Sequence, residues 1–164
     1  MCSLFREHPS KSEHLMKPVL YLDVDGVLWD VAEDGTFKGS NGLESFMNFA
    51  LENFEVRWLT SWALEGYIRE DRLPQLENFT KLSLETWKQV CPSMKWRENK
   101  TEAIDWEEHF YGRPFVWIED GLLDEELIFL SELNYLDCYI HTDVFEDPDA
   151  LIKAHKILLE RFQL

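Results

Sequence analysis

The stretch Pro18-Val-Leu-Tyr-Leu-Asp-Val-Asp-Gly-Val-Leu28 holds two carboxylates, Asp23 and Asp25, directly after an apolar run. Such a run is typical of a buried strand in a parallel sheet. Because residues i and i+2 of a strand point to one side, both acids can face one site, and Gly26 permits a sharp turn after them. Ligands of open α/β sheets bind outside the carboxyl ends of the strands. The stretch therefore predicts a cation or proton site at that end, although two acids after a strand also fit a simple turn.

The chain has 164 residues, a length that suits one domain with a single core. Its composition, 45% hydrophobic and 29% charged, is typical of a globular protein. We expect a flexible N-terminal extension over 1–16 and a single domain over 17–164. The extension lacks the continuous apolar stretch of a secretory signal, and the sequence predicts no transmembrane segment.

Cysteine content and charge narrow the function classes. Cys2, Cys91 and Cys138 are odd in number and widely spaced, which favours a reducing cytoplasm over a disulfide framework or zinc site. With 32 acidic and 16 basic side chains, the net charge of −16 repels polyanions and disfavours nucleic acid as a partner. The segment Lys95-Trp-Arg-Glu-Asn-Lys100 is a local exception with three cations.

The rest of the chain alternates apolar segments of strand and helix type. Trp29 to Gly39, with the turn dipeptide Asp34-Gly35, predicts a small hairpin or flap. Further strands are predicted at 55–60, 80–86, 115–120 and 138–142, and helices at 41–54, 63–72, after Lys100, at 124–134 and at 148–162. This order predicts an α/β, three-layer Rossmann-like fold with a central parallel sheet of about five strands and helices on both faces.

Polar side chains follow several of these strands. Thr60 and Ser61 end the second strand, Glu119 and Asp120 end the fourth, and Lys100 begins a helix. About 35 residues separate Asp25 from Thr60 and about 40 separate Thr60 from Lys100, so neither gap holds a large cap domain. We therefore expect an open site.

Four segments in this order, DVDGV, RWLT, Lys100 and WIEDGLLD, resemble the pattern of the haloacid dehalogenase-like hydrolases over residues 18–124. LYLDVDGVL, WLTSW and RPFVWIED are also similar to the small domains of this type associated with bacterial RNA repair. The resemblance implies a Mg²⁺-dependent phosphatase of small, capless type. A carboxylate at position 25 favours phosphoester hydrolysis, since members of the family that dehalogenate or pump ions lack it.

Catalytic roles follow from the resemblance residue by residue. Asp23 would be the nucleophile that forms an aspartyl-phosphate, and Asp25 the general acid and base. Thr60 would hydrogen-bond the phosphoryl group, and Lys100 would offset negative charge. Substrate contacts are implied for Gly26, Thr60, Ser61 and Lys100.

The resemblance also implies a metal site. Asp23, Asp120 and Asp25, the last through its backbone carbonyl, would ligate Mg²⁺. Glu119 or Asp124 would hold the metal's waters. Glu119 departs from the more common Asp-Asp pair, which leaves its direct coordination open.

Several alternatives remain open on the sequence alone. Ser61 could replace Thr60 as the phosphate clamp, and Lys81, Lys88 or Lys95 could replace Lys100. The substrate could be a small phosphorylated molecule or a macromolecule. Two other functions also fit: a nucleic-acid end-processing phosphatase, mildly favoured by the Lys95–Lys100 cluster, or a phosphate-binding regulatory protein with a degenerate active site.

Overall fold

A computed structural model describes residues 16–164. A four-stranded parallel sheet with the order β4-β1-β5-β6 forms its centre, and a two-stranded antiparallel hairpin, β2-β3, lies beside it. The strands are β1 (Val19–Leu22), β2 (Trp29–Val31), β3 (Phe37–Gly39), β4 (Glu55–Trp58), β5 (Phe115–Glu119) and β6 (Tyr139–His141). The extension predicted for 1–16 lies, apart from Met16, outside the described residues.

Six α-helices and three 3₁₀ turns connect these strands in the described chain. The helices are α1 (Leu43–Asn53), α2 (Leu73–Thr80), α3 (Leu84–Trp87), α4 (Trp106–Phe110), α5 (Asp124–Glu132) and α6 (Ala150–Phe162). The 3₁₀ turns are Ser61–Ala63, Lys100–Ala103 and Leu136–Cys138. Within residues 16–164, no helix combines the length and the apolar character that crossing a membrane requires.

The sheet is buried on both faces, because alternate residues of β1 and β5 enter two different hydrophobic cores. Leu20 and Leu22 pack with α1, α2 and α6 on one face. Val19 and Tyr21 pack on the other with Ile104 and the buried part of α5. The described chain is therefore an α/β fold with helices on both sides of a parallel sheet, as the sequence predicts.

Two predicted elements, the strand at 80–86 and the helix at 63–72, are wrong. The segment 80–86, predicted as a strand, contains the end of α2 and the start of α3, so the parallel sheet has four strands and not five. Lys81 ends α2 with φ of 63°, and the Ser83 side chain accepts a hydrogen bond from Thr86 N at the start of α3. These local caps terminate helices and prevent an extended conformation.

The helix predicted at 63–72 is also wrong. The helix begins at Leu73, after a 3₁₀ turn and loop, and Pro74 stands in its first turn. Proline is favoured there because its missing N–H would have no partner inside the helix. Residues 63–72 therefore lie before a helix that Pro74 helps to start.

The hairpin β2-β3 confirms the flap predicted after the first strand. Trp29 pairs with Gly39 and Val31 with Phe37. Its base is tied to β1's exit loop, since Ser40 Oγ donates to the Val27 carbonyl at 2.8 Å. Residues 61–99 form a 3₁₀ turn, α2, α3 and loops.

Candidate functional site

The register of the sheet brings three strand exits to one edge. Leu22 at the end of β1 lies between Trp58 of β4 and Ile118 of β5. Asp23 N then donates to the Ile118 carbonyl at 3.2 Å, and Leu59 N donates to the Leu22 carbonyl at 2.9 Å. The residues that follow β1, β4 and β5 therefore meet at the carboxyl ends of these strands.

Three carboxylates form a cluster at this edge. Asp23, Glu119 and Asp120 each place one carboxylate oxygen within 4.8 Å of the other two. Asp23 is 3% and Glu119 2% exposed, so two of the charges are almost fully removed from water. Burial of unneutralised carboxylates is costly, and three hard oxygen donors this close suit a divalent cation such as Mg²⁺. The donor set therefore fits the metal that the resemblance implies.

Lys100 supplies the cation next to this acidic cluster. Its Nζ lies 3.0 Å from Asp23 Oδ1 and also forms an ion pair with Glu119. The three alternative lysines lie elsewhere in the structure: Lys81 donates to Asn78, Lys88 pairs with Glu85, and Lys95 pairs with Glu65. Of the four lysines considered, Lys100 is the one next to Asp23.

The pKa values of this group reflect burial and crowding. Burial raises the pKa of Asp23, against the opposing charge of Lys100. Burial and then the nearby Asp23 carboxylate raise the pKa of Glu119 to about 11. For Lys100, burial favours loss of the proton, but the charges of Asp23 and Glu119 outweigh it and raise the pKa. One ammonium thus does not neutralise the acidic cluster.

Asp25 lies outside the group of carboxylates that could share an ion. Its carboxylate accepts hydrogen bonds from two indoles: Trp29 Nε1 donates to Oδ1 at 3.0 Å, and Trp62 Nε1 lies 3.0 Å from each oxygen. Two donors from different elements fix the orientation of this side chain. The sequence by itself gives no sign that either indole is a partner of Asp25.

Gly26 lets the chain pass close to Asp120. Its φ is 69°, in the left-handed region, and a Cβ at this position would lie 2.9 Å from Asp120 Cβ. A side chain here would therefore strain the backbone and displace a carboxylate of the acidic cluster.

Thr60 and Ser61 differ in exposure. Thr60 is fully buried, and its Oγ1 accepts a hydrogen bond from Trp62 N at 3.4 Å, which starts the 3₁₀ turn. Ser61 is exposed. Thr60 is thus held at the strand exit by the same turn that positions the Trp62 indole.

Glu126 is a buried carboxylate that sequence reasoning missed. It is 2% exposed and accepts hydrogen bonds from Lys100 N at 2.7 Å and Leu123 N at 2.9 Å. It therefore connects the segment that carries Lys100 to the loop that follows Asp120. A glutamate at the third position of a helix is a common cap, but its second partner is distant in sequence. Asp124, the predicted holder of metal-bound water, is exposed and lies outside the acidic cluster.

The arrangement combines a buried carboxylate next to an ammonium, a set of oxygen donors for a divalent cation, and a second carboxylate held by two indoles. Such a combination can bind a dianion through a cation and transfer a group to a carboxylate oxygen. Comparisons of the chain with protein-family models, curated proteins and solved structures found no significant match.

Proposed function

We propose that this protein is a Mg²⁺-dependent phosphatase of the haloacid dehalogenase-like type, which hydrolyses a phosphomonoester through an aspartyl-phosphate on Asp23. The observation that carries the proposal is the position of Asp23: it contacts Lys100 and shares a possible ion site with Glu119 and Asp120. A carboxylate that attacks a phosphate dianion needs compensating positive charge on both partners.

Mg²⁺ would be held by Asp23, Glu119 and Asp120, and when bound it neutralises charge on the phosphoryl oxygens. Lys100 neutralises part of the charge that Asp23 and the substrate bring together. The Asp23 oxygen then forms a bond to phosphorus as the bond from phosphorus to the leaving oxygen breaks.

Asp25 acts as general acid in the first half-reaction and as general base in the second. In the first it donates a proton to the leaving oxygen. In the second it removes a proton from water, whose oxygen bonds to phosphorus as the bond from phosphorus to the Asp23 oxygen breaks, so that phosphate is released and Asp23 is free again. The two indole donors hold its carboxyl group in one orientation. Thr60 stands at the neighbouring strand exit, where its hydroxyl hydrogen-bonds the phosphoryl group during transfer.

The test compares hydrolysis of a chromogenic phosphate ester by wild type, Asp23→Asn and Asp71→Asn, with Mg²⁺ and with a chelator. Asp71 is exposed, pairs with Arg69 and serves as the matched control. We expect Asp23→Asn to lose about 10⁴-fold or more in kcat, because it removes the nucleophile. Circular dichroism and thermal unfolding verify that the variant is folded.

Equal rates in wild type and Asp23→Asn would refute the mechanism. A labelled substrate should also transfer phosphate to wild type, in a form that hydroxylamine removes as expected of an acyl phosphate. Binding of Mg²⁺ and phosphate without turnover of any ester would instead indicate a phosphate-binding protein.

Nucleic-acid end processing remains a narrower form of the proposal. Its support in the sequence is the basic segment Lys95–Lys100, but Lys95 pairs with Glu65, and Lys100 pairs with Asp23 of the acidic cluster. Activity on phosphorylated oligonucleotides that falls in the Lys95→Ala and Arg97→Ala variants would favour it.

A further inference from the structure

Aromatic side chains gather next to Asp25. We call this group the aromatic platform, and it consists of Trp29, Phe37, Trp62, Phe79 and Phe145. The Phe37 and Phe79 rings stack with centroids 4.1 Å apart, and the Trp29 ring lies 5.1 Å from Phe37 and 5.3 Å from Phe79. The Phe145 and Trp62 rings extend the group, 5.8 Å from Trp29 and 6.0 Å from Phe79.

The aromatic platform is joined directly to the proposed catalytic machinery. Its two indoles donate the hydrogen bonds that hold the Asp25 carboxylate. The platform therefore begins within one hydrogen bond of the group that protonates the leaving oxygen. If Asp25 protonates the leaving oxygen, we expect the group attached to that oxygen to lie on the side of the site that the platform occupies.

Part of the platform is open to solvent. Phe37 is 41% and Phe145 50% exposed, although both touch Trp29. Apolar rings left exposed at the rim of a site are typical of ligand contacts. The Phe37 ring already stacks on Phe79, so a planar group added to its exposed part would extend an existing stack.

The platform is also held in place without a ligand. Val144 N donates to the Gly26 carbonyl at 2.8 Å, which fixes the loop that carries Phe145 next to the exit of β1. The Ser40 hydroxyl fixes the base of the hairpin that carries Phe37. A preformed surface binds a ring with little cost in ordering side chains.

We propose that the aromatic platform binds a planar aromatic ring in the leaving group of the phosphate ester. The inference rests on the proposed function, since it places the leaving group by the role of Asp25. A polyhydroxylated leaving group would give up its hydration at these rings without gaining hydrogen bonds, whereas a planar ring gains stacking. The platform would thus select aromatic over saturated or sugar-like leaving groups.

The test compares benzyl phosphate with cyclohexylmethyl phosphate, which have similar leaving alcohols but differ in the planarity of the ring. We expect wild type with Mg²⁺ to prefer benzyl phosphate by about 10-fold in kcat/KM. Phe37→Leu keeps an apolar side chain in the hairpin but removes the ring, so the preference should fall to about 2-fold or less. Phe110→Leu, at an exposed phenylalanine of α4 outside the platform, is the matched control and should retain the preference.

The outcomes separate the two proposals. Hydrolysis of both esters at equal kcat/KM, or a preference that survives in folded Phe37→Leu, would overturn the platform's role and leave the phosphatase intact. Hydrolysis of neither ester by a protein that hydrolyses the chromogenic ester would overturn the platform's role alone, whereas no Asp23-dependent hydrolysis of any of the three would overturn both. Thermal unfolding of Phe37→Leu establishes that the hairpin variant is folded.

Two further pairs of substrates distinguish the sources of the ring. A preference for adenosine monophosphate over ribose 5-phosphate would identify a nucleobase. A preference for phosphotyrosine over phosphoserine would identify an aryl side chain. Absence of a preference in both pairs would contradict the inference.

Discussion

Two clusters of charges lie at opposite ends of the sheet, one largely buried and the other half-buried. At the carboxyl end, the acidic cluster Asp23, Glu119 and Asp120 faces the single ammonium of Lys100. Near the amino end, Arg57 and Arg113 pair with Glu55 and Glu108, and we call these four residues the paired network. Cations and anions are equal in number in the paired network and unequal in the acidic cluster.

The pKa of a glutamate is shifted in opposite directions in the two clusters. Burial alone would raise the pKa of Glu55 and Glu108, but hydrogen bonds and charges from Arg57 and Arg113 outweigh it and lower both. For Glu119, burial and then the nearby Asp23 carboxylate outweigh the single charge of Lys100 and raise the pKa to about 11. Saturated pairing is what a structural ion network needs, whereas unsatisfied negative charge is what a cation site needs. Charge balance thus separates the network that stabilises the fold from the cluster that can bind an ion.

The largest expected effect concerns the paired network. Glu108 accepts hydrogen bonds from Arg57 at 3.0 Å and Arg113 at 2.8 Å, so Glu108→Gln leaves two half-buried guanidinium groups short of negative charge. We expect the free energy of unfolding to fall by about 2 kcal/mol. Urea unfolding measures it. Glu85→Gln, which breaks an exposed pair with Lys88, should change it by less than about 1 kcal/mol, and equal losses in the two variants would contradict the comparison.

A smaller effect is expected from Glu126, which acts on the acidic cluster through the backbone of Lys100. Glu126→Gln keeps one acceptor for two backbone donors, so kcat/KM should fall about 10-fold, equivalent to about 1.4 kcal/mol. The neighbouring exposed Glu125→Gln is the control. To separate a positioning role from a general loss of stability, kcat and the Mg²⁺ dependence of the activity are measured at a temperature where both variants are folded. An unchanged kcat/KM would show that Glu126 does not position Lys100.

Replacing a glutamate of the acidic cluster by glutamine should raise the free energy of unfolding, whereas the same replacement in the paired network should lower it. Without divalent cations, Glu119 has to take up a proton on folding because its pKa is raised, and Glu119→Gln removes this cost, so we expect the unfolding free energy to rise by about 1 kcal/mol and Tm by about 2–4 °C. Mg²⁺ should then stabilise wild type more than the variant. Thermal unfolding with Mg²⁺ or a chelator tests both expectations. A lower Tm of the chelated variant would show that Glu119 is simply a structural partner of Lys100.

The smallest expected effect is a change with pH. A carboxylate whose folded pKa is lowered adds stability that is present above its unfolded pKa, about 4.5, and lost as pH falls toward the folded pKa. The stability difference between wild type and Glu108→Gln should therefore shrink from pH 5 to pH 3. Urea unfolding at several pH values measures it, and a difference that stays constant would show that Glu108 does not act through its charge.

Some of the fold was predictable because its signals are local. The apolar runs of β1 and β5 are continuous, as expected for strands buried on both faces, and the hairpin carries its own turn dipeptide. The segment 80–86 was predicted wrongly because a short mixed sequence gives no clear period. There Lys81 and Ser83 act as helix caps, a role that depends on the helices on either side.

The site was predictable to the extent that it follows from strand order. Acids or hydroxyls directly after parallel strands must meet at one edge, which is why Asp23, Thr60 and Asp120 could be grouped in advance. The place of Glu119 in the acidic cluster could not, since it depends on how far a side chain reaches from the last residue of β5. Glu126 and the two indoles on Asp25 were missed for a related reason, because their partners are far away in sequence.

The sequence by itself determined the alternation of strands and helices and the residues at the strand ends, because periodicity and chain connectivity are properties of neighbouring residues. Only the tertiary structure decided which of several lysines faces Asp23, which glutamates have an arginine partner, and which rings surround Asp25. These depend on distances of a few ångströms between segments that are remote along the chain, and electrostatic and stacking energies change steeply over such distances.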